Sequence, residues 1–322
     1  MKTKNSITTA GHYRNRPTPF VSVVIPSHNR RKKLERLLES LQKSTYQKKS
    51  LEIIVVDDAS DEDYSNIIEK FPNIIIIRNR EEKLPAEARN IGARCCSGKY
   101  IFFVDDDNVA DENCIKTIVE FMETNSRIGM VGPITYFYGA PTRIYCAGVR
   151  RNRLTSITIH IGRDEIDIGQ YREPIPSEYI PNAFIIRKTL FNEVGGFDSR
   201  HFPIHFEETD LASKVWKAGY GIFVIPQARM WHDTFICDRH GGHAFSSERR
   251  AYFTARNRLI FHTRNDTVAQ LLSFLAMLPL MVLYDLVGMS NLELGRRQRV
   301  VRAYLKGLWY GFLMCRHDHQ RM

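Results

Sequence analysis

The chain has 322 residues, room for one large domain or for a catalytic domain with an appendage. With 43% hydrophobic and 25% charged residues it is composed as a globular protein, which excludes a disordered chain. The net charge of +10 points to an anionic partner, such as a nucleotide diphosphate, a nucleic acid or an anionic membrane surface, without choosing among them.

Residues 1–19 are polar and basic, lack the apolar stretch of a secretory signal and are expected to form a flexible tail. Residues 20–25 are a β-branched apolar run, a buried strand that stops at Pro26. Leu34, Leu37, Leu38 and Leu41 then recur at helical spacing. A second strand, 51–56, leads into the polar stretch DDASDEDYSN, a short helix and a third strand at 74–77. Pro85 suits the first turn of a helix carrying AEARNIGARCC, which Gly98 is expected to end. A fourth strand, YIFFV, runs straight into Asp105. Val- and Ile-rich strands alternating with amphipathic helices predict an α/β fold with a Rossmann-like, mainly parallel sheet covered on both faces. Ligands bind such sheets beyond the carboxyl ends of the strands, where SHNR, DDAS and DDDN fall here.

From 132 to 177 the periodicity is weak, and an irregular, partly extended region is expected. A strand at 181–188 and a helix reaching Gly195-Gly196 follow. FEETDLASKVWKAGY predicts a helix with Leu211, Val215 and Trp216 on one face, and GIFVIP a further strand. Residues 268–289 are long and apolar, broken by Gln270, Pro279 and Asp285. Arg256, Arg258 and Arg264 precede this stretch, and Arg296, Arg297 and Arg299 follow it. It reads equally as a helical hairpin covering the domain and as a membrane span. Positive charge on both sides favours an interfacial or re-entrant segment that returns to the cytoplasmic face. The six cysteines (Cys95, Cys96, Cys114, Cys146, Cys237 and Cys315) show no metal-type spacing, as expected of reduced, mostly buried thiols in a cytosolic compartment.

Asp105, Asp106 and Asp107 at the end of a buried strand repel one another unless a cation sits among them. Mg²⁺ or Mn²⁺ would suit, sharing oxygen ligands with substrate phosphates; an acidic turn or helix cap is the alternative. Asp57 and Asp58 could accept hydrogen bonds from a nucleotide, or merely form an Asx turn. Arg89 and Asn90 could face the same rim. Glu207, Glu208 and Asp210 could simply complement a helix dipole. Glu208 could instead serve as a general base, and an unperturbed glutamate, with a pKa of about 4.3, is already ionised at neutral pH. His232 could be a metal ligand or a core histidine. The basic residues Arg256 and Arg258 could meet a diphosphate or a lipid phosphate.

In series, VSVVIPSHNR, IIVVDDAS, AEARNIGARCCSGKYIFFVDDDN and GGFDSRHFPIHFEETDLASKVWKAGY resemble the family 2 glycosyltransferases of the GT-A fold. The resemblance covers about residues 21–220, with a looser echo through WHD and YFTARNR to Arg258. The chain departs from the family pattern at His28, where a Tyr is usual, and at Glu207-Glu208, where Glu-Asp is common. The resemblance implies a GT-A domain at 20–260 followed by a helical, membrane-associating region at 261–322. It implies inverting transfer of one sugar from a nucleotide-diphosphate sugar to an acceptor hydroxyl, in lipid-linked or cell-surface glycan assembly. It assigns Pro26, Ser27, His28 and Asn29 to the nucleotide pocket, with Asp57 and Asp58 accepting from the base and Arg89 and Asn90 flanking them. Asp105 or Asp106 would hold the ribose. Asp107 would be the main ligand of a divalent cation, Mn²⁺ or Mg²⁺, with Asp105 and His232 as further candidates. Glu208 would be the catalytic base, and Asn182 and Trp231 would lie near the acceptor.

Other readings fit less well. A nucleotidyltransferase would bring a Gly-rich loop after the first strand, and SHNRRKKLE has none. A nucleic-acid module would line one groove with basic and aromatic residues, whereas the charges here are dispersed, so no nucleic-acid partner is expected. A processive polysaccharide synthase would carry several spanning helices and a Q-x-x-R-W-type block, which is absent.

Overall fold

The structure is a computed structural model describing residues 18–152, 158–234 and 247–319; most of the expected tail and Cys237 lie outside the described residues. Strands β1 (Val21–Ser27), β2 (Leu51–Asp57), β3 (Ile74–Arg78) and β4 (Tyr100–Val104) alternate with helices α1 (Arg31–Gln42), α2 (Ser65–Lys70) and α3 (Leu84–Cys95). These four strands are parallel, in the order β3-β2-β1-β4. Side-chain alternation along β1 splits the interior into two cores. Val21, Val23 and Ile25 meet the leucines of α1 and the apolar face of α4 (Cys114–Thr124), while Val24 faces α3. Gly92 lets α3 approach closely, since a Cβ there would lie 2.5 Å from Cγ1 of Val24.

The rest of the sheet is built from β5 (Asn108–Ala110), β6 (Ile128–Phe137), β7 (Ala140–Cys146), β10 (Ile175–Pro176), β11 (Ala183–Arg187) and β12 (Gly221–His232), with β8 (Val149–Arg151) and β9 (Thr158–His160) forming a separate pair. Past β4 the order continues β11-β6-β12-β10. β11 runs antiparallel to both neighbours and β12 parallel to β6, while β5 pairs with the end of β12. Helices α5 (Lys188–Glu193) and α6 (Glu207–Lys217) lie between β11 and β12 in sequence.

Several sequence expectations are corrected here. The region expected to be irregular opens within β6, a strand buried at all ten positions. Covered on both faces, it shows no alternation, and its Gly132 is required by close packing, because a Cβ would fall 2.4 Å from Cγ2 of Ile180. Trp216 is 42% exposed, so only Leu211 and Val215 of the expected trio are buried. α3 ends at Cys95, and Gly98 instead lets the chain pass β1, where a Cβ would meet the backbone of Phe20 and Ser22. Cys96, Cys114 and Cys146 are buried as expected, but Cys95 is exposed.

Three helices close the chain: α7 (Glu248–Asn265), α8 (Val268–Gly288) and α9 (Leu294–His319). α7 runs across the expected boundary at residue 260. α8 starts with a capping box between Thr267 and Gln270, and only Phe274, Leu278 and Asp285 of it are buried. It is the one helix among the described residues long and apolar enough to cross a membrane. Asp285, a charge within the apolar run, pairs with Arg258 of α7 at 2.8 Å and accepts from the hydroxyl of Tyr304 of α9 at 2.7 Å. Arg258 is therefore committed to the interior of the helical layer, contrary to the expectation that it meets phosphate.

Candidate functional site

The turn after β4 delivers Asp105, Asp106 and Asp107 to the carboxyl edge of the parallel strands, and each takes a different partner. Asp106 is buried and accepts from Ser27 Oγ at 2.8 Å and from Arg30 at 3.2 Å. Burial outweighs the pull of Arg30, and with Asp107 adding repulsion it pushes the Asp106 carboxyl up to about 7. Asp107 faces Arg30 at 3.0 Å and, because β5 pairs with β12, also His232, whose Nε2 lies 3.2 Å from Oδ1. Burial works against ionisation of Asp107, but His232, Arg30 and Lys33 hold it below its ordinary value.

Oδ1 of Asp107 is buried and has no aligned hydrogen-bond partner. A buried carboxylate oxygen 3.2 Å from an imidazole nitrogen could serve with it as two ligands of a common cation. Among the described residues no third His, Cys, Asp or Glu joins them in a metal-holding group. The pair fits a hard divalent ion that keeps its other positions for phosphate oxygens and water. Asp105 does not contact this pair among the described residues and is held by Arg89 instead.

Asp105 turns instead to Arg89. The Arg89 guanidinium, 3% exposed, lies 2.5 Å from Asp105, 3.0 Å from Glu207 and 3.4 Å from Glu208. Burial opposes its charge, but the three carboxylates hold it well above its ordinary value. Glu208 Oε1 also accepts the backbone N–H of Asn182 at 3.0 Å, while the carbonyl of Asn182 accepts the N–H of Asp105 at 2.9 Å. One guanidinium cannot balance three carboxylates. Burial, against the pull of Arg89 and with Glu207 and Asp105 repelling, pushes Glu208 up to about 8. The expectation of an unperturbed, fully ionised glutamate is thereby corrected.

The polar contacts of Arg89 and Asn90 are with Asp105, Glu207, Glu208, Glu87 and Phe197, not with the loops after β1 and β2. Asn90 clamps Phe197 through both its backbone groups, at 2.9 and 3.1 Å. The rim itself is made by the loops after β1 and β2. Pro26 pairs with Val56 in the sheet, and Ser27 meets the Tyr64 hydroxyl at 2.9 Å. His28 Nδ1 lies 2.8 Å from the carbonyl of Asp58, and Asn29, with φ 53°, accepts the N–H of Asp61 at 2.7 Å. Asp57 accepts from Ser60 N at 2.9 Å and pairs with Arg78 at 3.1 Å. Asp58 accepts three hydrogen bonds, from Asn79, Lys83 and Leu84. Asp57 thus holds the loop after β2 in shape and Asp58 the connection from β3 to α3, and beside them opens a cavity of about 370 Å³ lined by Ser60, Asp61, Arg78, Asn79 and Arg80.

Two groups escaped the sequence reading. Arg30, Lys33 and Arg36 project from one face of α1 toward Asp106, Asp107 and Asp233. Their spacing of three was the available signal, since residues three apart share a helix face. Tyr145, His160 and Tyr179 form an aromatic wall, with Tyr145 ring centroids 5.0 Å from His232 and 5.7 Å from His160. Tyr145 and His160 come from the region of weak periodicity, and Tyr179 lies just beyond it. Trp231 stacks on Tyr136 at 6.1 Å and lines a separate cavity of about 230 Å³. Asn182, whose backbone N–H donates to Glu208, keeps a buried carboxamide without a hydrogen-bond partner.

Residues 22–195 match the family model described as Glycosyl transferase family 2. The glycosyltransferase GlyG of Streptococcus pneumoniae serotype 4 is 28% identical over 190 residues, 57% of this chain and 62% of that one. The chain spans less than two thirds of the length of the curated relatives it matches. Among solved structures, GalNAc-T7 with UDP, GalNAc and Mn²⁺ has a TM-score of 0.60 at 19% identity, covering 78% of this chain and 51% of that one. The mannosyltransferase PcManGT from Pyrobaculum calidifontis, in complex with GDP-Man and Mn²⁺, has a TM-score of 0.56 at 16% identity and covers 91% and 88%. At these identities the likeness establishes the GT-A fold, and the family match runs through the strands that carry Ser27, Asp58 and the three aspartates. This chain therefore belongs to glycosyl transferase family 2.

Proposed function

We propose that the protein is an inverting, metal-dependent glycosyltransferase that moves one sugar from a nucleotide-diphosphate sugar to an acceptor hydroxyl. The observation that carries this reading is the placement of Glu208 relative to the Asp107–His232 pair. Asn182 joins the base to the backbone of Asp105, two residues from the metal ligand. GT-A relatives that hold UDP or GDP-Man together with Mn²⁺ support it.

Asp107 and His232 would hold a divalent cation, which would supply positive charge to the departing diphosphate. Arg30 and Lys33, beside Asp107, add positive charge at the same place. The cavity by Arg78 and Arg80 takes the nucleoside, and Ser27 holds Asp106 in position. Glu208, once deprotonated, takes the proton of the acceptor hydroxyl while that oxygen bonds to the anomeric carbon and the bond to the diphosphate breaks. A single displacement from the opposite face inverts the configuration. A base with pKa near working pH suits this task. The unpartnered carboxamide of Asn182 would hold the acceptor.

α8 and α9 expose Leu272, Leu283, Tyr284, Val287, Trp309 and Phe312. We read these helices as an in-plane seat on the cytoplasmic face of a membrane, with a lipid-linked or surface-glycan acceptor. Flotation with anionic vesicles tests the seat, and a protein that stays with the soluble fraction rules it out. The function is tested by thermal shift against a panel of nucleotide-sugars with and without Mn²⁺, because a donor that binds the folded state raises its Tm. A donor should raise Tm only with metal, and its product should carry the inverted anomer. Retention of configuration would overturn the mechanism.

A further inference from the structure

The two residues before the Glu207-Glu208 pair have an unusual backbone. His205 and Phe206 both lie in the left-handed region, with φ of 62° and 67°. Side chains with a Cβ rarely adopt it, and such residues cost on the order of 1–3 kcal/mol each unless their surroundings hold them. Phe206 is the residue from which α6 starts, so this turn sets where Glu208 stands.

What holds the turn is α7. Asn257 is completely buried, and its Nδ2 donates to the carbonyls of Ile204 and His205, each at 2.8 Å. Its Oδ1 accepts from Nε of the neighbouring Arg256 at 2.8 Å, and Arg256 also donates to the carbonyl of His201. Both donor hydrogens of the carboxamide are thus committed to two consecutive carbonyls of the strained turn. One turn further along α7, Ile260 and Phe261 pack with Phe202 and Phe206. Arg256 is buried here, which corrects the expectation that it meets phosphate.

We infer that Asn257 is a positioning residue for Glu208: its carboxamide pins the left-handed turn at His205–Phe206 that sets the base against Arg89 and Asn182. This rests on the reading of Glu208 as the base. The argument is local and physical. Without the two hydrogen bonds the strain at His205 and Phe206 is relieved by rotation, and the first turn of α6 moves with it. The metal pair, Ser27 and the nucleoside cavity sit on other elements and stay in place. The helical layer that carries the proposed membrane seat thereby also sets the geometry of the base.

The test is Asn257→Ala, assayed for kcat and, separately, for binding of UDP with Mn²⁺ by calorimetry. The expected result is a fall in kcat on the order of 10²-fold, the loss produced by a misplacement of about 1 Å, with UDP affinity unchanged. The same substitution is then made on a His205→Gly background, where glycine adopts the left-handed conformation without steric cost. There the fold loss should be clearly smaller. A wild-type kcat in Asn257→Ala, an equal loss of kcat and UDP affinity, or the same loss in both backgrounds would each overturn the inference. If Asn257→Ala does not fold, Asn257→Ser, which keeps one donor, is measured in its place on the same criteria. Glu208→Gln is the control. If it retains turnover, the base reading falls and this inference with it. If it loses turnover while Asn257→Ala does not, only the positioning role falls.

Discussion

Nε2 of His232 stands 3.2 Å from Oδ1 of Asp107, yet that oxygen has no aligned hydrogen bond. The two atoms come from the turn after β4 and the last residue of β12, and the short ladder between β5 and β12 fixes their approach. Replacing His232 with alanine should leave the fold intact and weaken Mn²⁺-dependent UDP binding by at least about tenfold, the equivalent of roughly 1.4 kcal/mol. Asp107→Ala should abolish it. Calorimetric titration of UDP with and without Mn²⁺ reads both, and an unchanged metal-dependent isotherm in either variant would remove that residue from the cation site.

Glu208 makes stability depend on pH in an unusual direction. Its carboxyl is pushed up to about 8 in the folded protein, whereas an unfolded glutamate titrates near about 4.3. Between these values the folded state holds a proton that the unfolded chain has released. The contribution is therefore full below the unfolded value and is lost as pH rises through the folded one. Glu208→Gln mimics the protonated acid and escapes this loss. Its Tm relative to wild type should climb between about pH 5 and pH 8 in metal-free buffer. A difference that does not vary with pH would mean that Glu208 is solvated in solution.

How far the sequence could be read follows from what each side chain touches. The parallel half was legible because strands buried on both faces leave unbroken Val and Ile runs, and because the polar clusters fall where those runs stop. The places of Asp107 after β4 and of Glu208 at the start of α6 were legible through their motif neighbours. The surroundings of Arg89 were not legible, because nothing in AEARN announces an arginine enclosed by three carboxylates; that enclosure depends on α6, which is distant in sequence. The wall of Tyr145, His160 and Tyr179 was hidden for a different reason. Strands that curl and shift register, as β6 and β7 do, lose the simple period of two on which strand reading rests.

The apolar run of α8 carries one charge, and the structure gives it a partner. Arg258 and Asp285 are largely enclosed, and the Tyr304 hydroxyl completes the carboxylate's bonding. Asp285→Ala leaves the guanidinium without its anion and should destabilise the helical layer by about 3–5 kcal/mol. The double variant Arg258→Met with Asp285→Leu should recover most of that loss. Denaturant melts of the three proteins decide it. A double variant as unstable as the single one would mean that the pair does more than neutralise itself.

Two glycines of the same layer should respond to alanine with opposite signs. Gly307 of α9 faces the backbone of α7 so closely that an added Cβ would lie 2.2 Å from the carbonyl oxygen of Tyr252. A carbonyl cannot swing aside as a flexible side chain would, so the helices must separate. Gly307→Ala should cost about 1–3 kcal/mol, as overpacked interiors do. Because α7 also carries Asn257, kcat should fall along with stability. Gly288, at the end of α8, has helical angles of −58° and −32° and nothing within 4 Å of the added carbon. Alanine there restricts only the unfolded chain and should stabilise by about 0.4–1 kcal/mol. Paired melts separate the two effects: a harmless Gly307→Ala would show that α7 and α9 are not in close contact in solution.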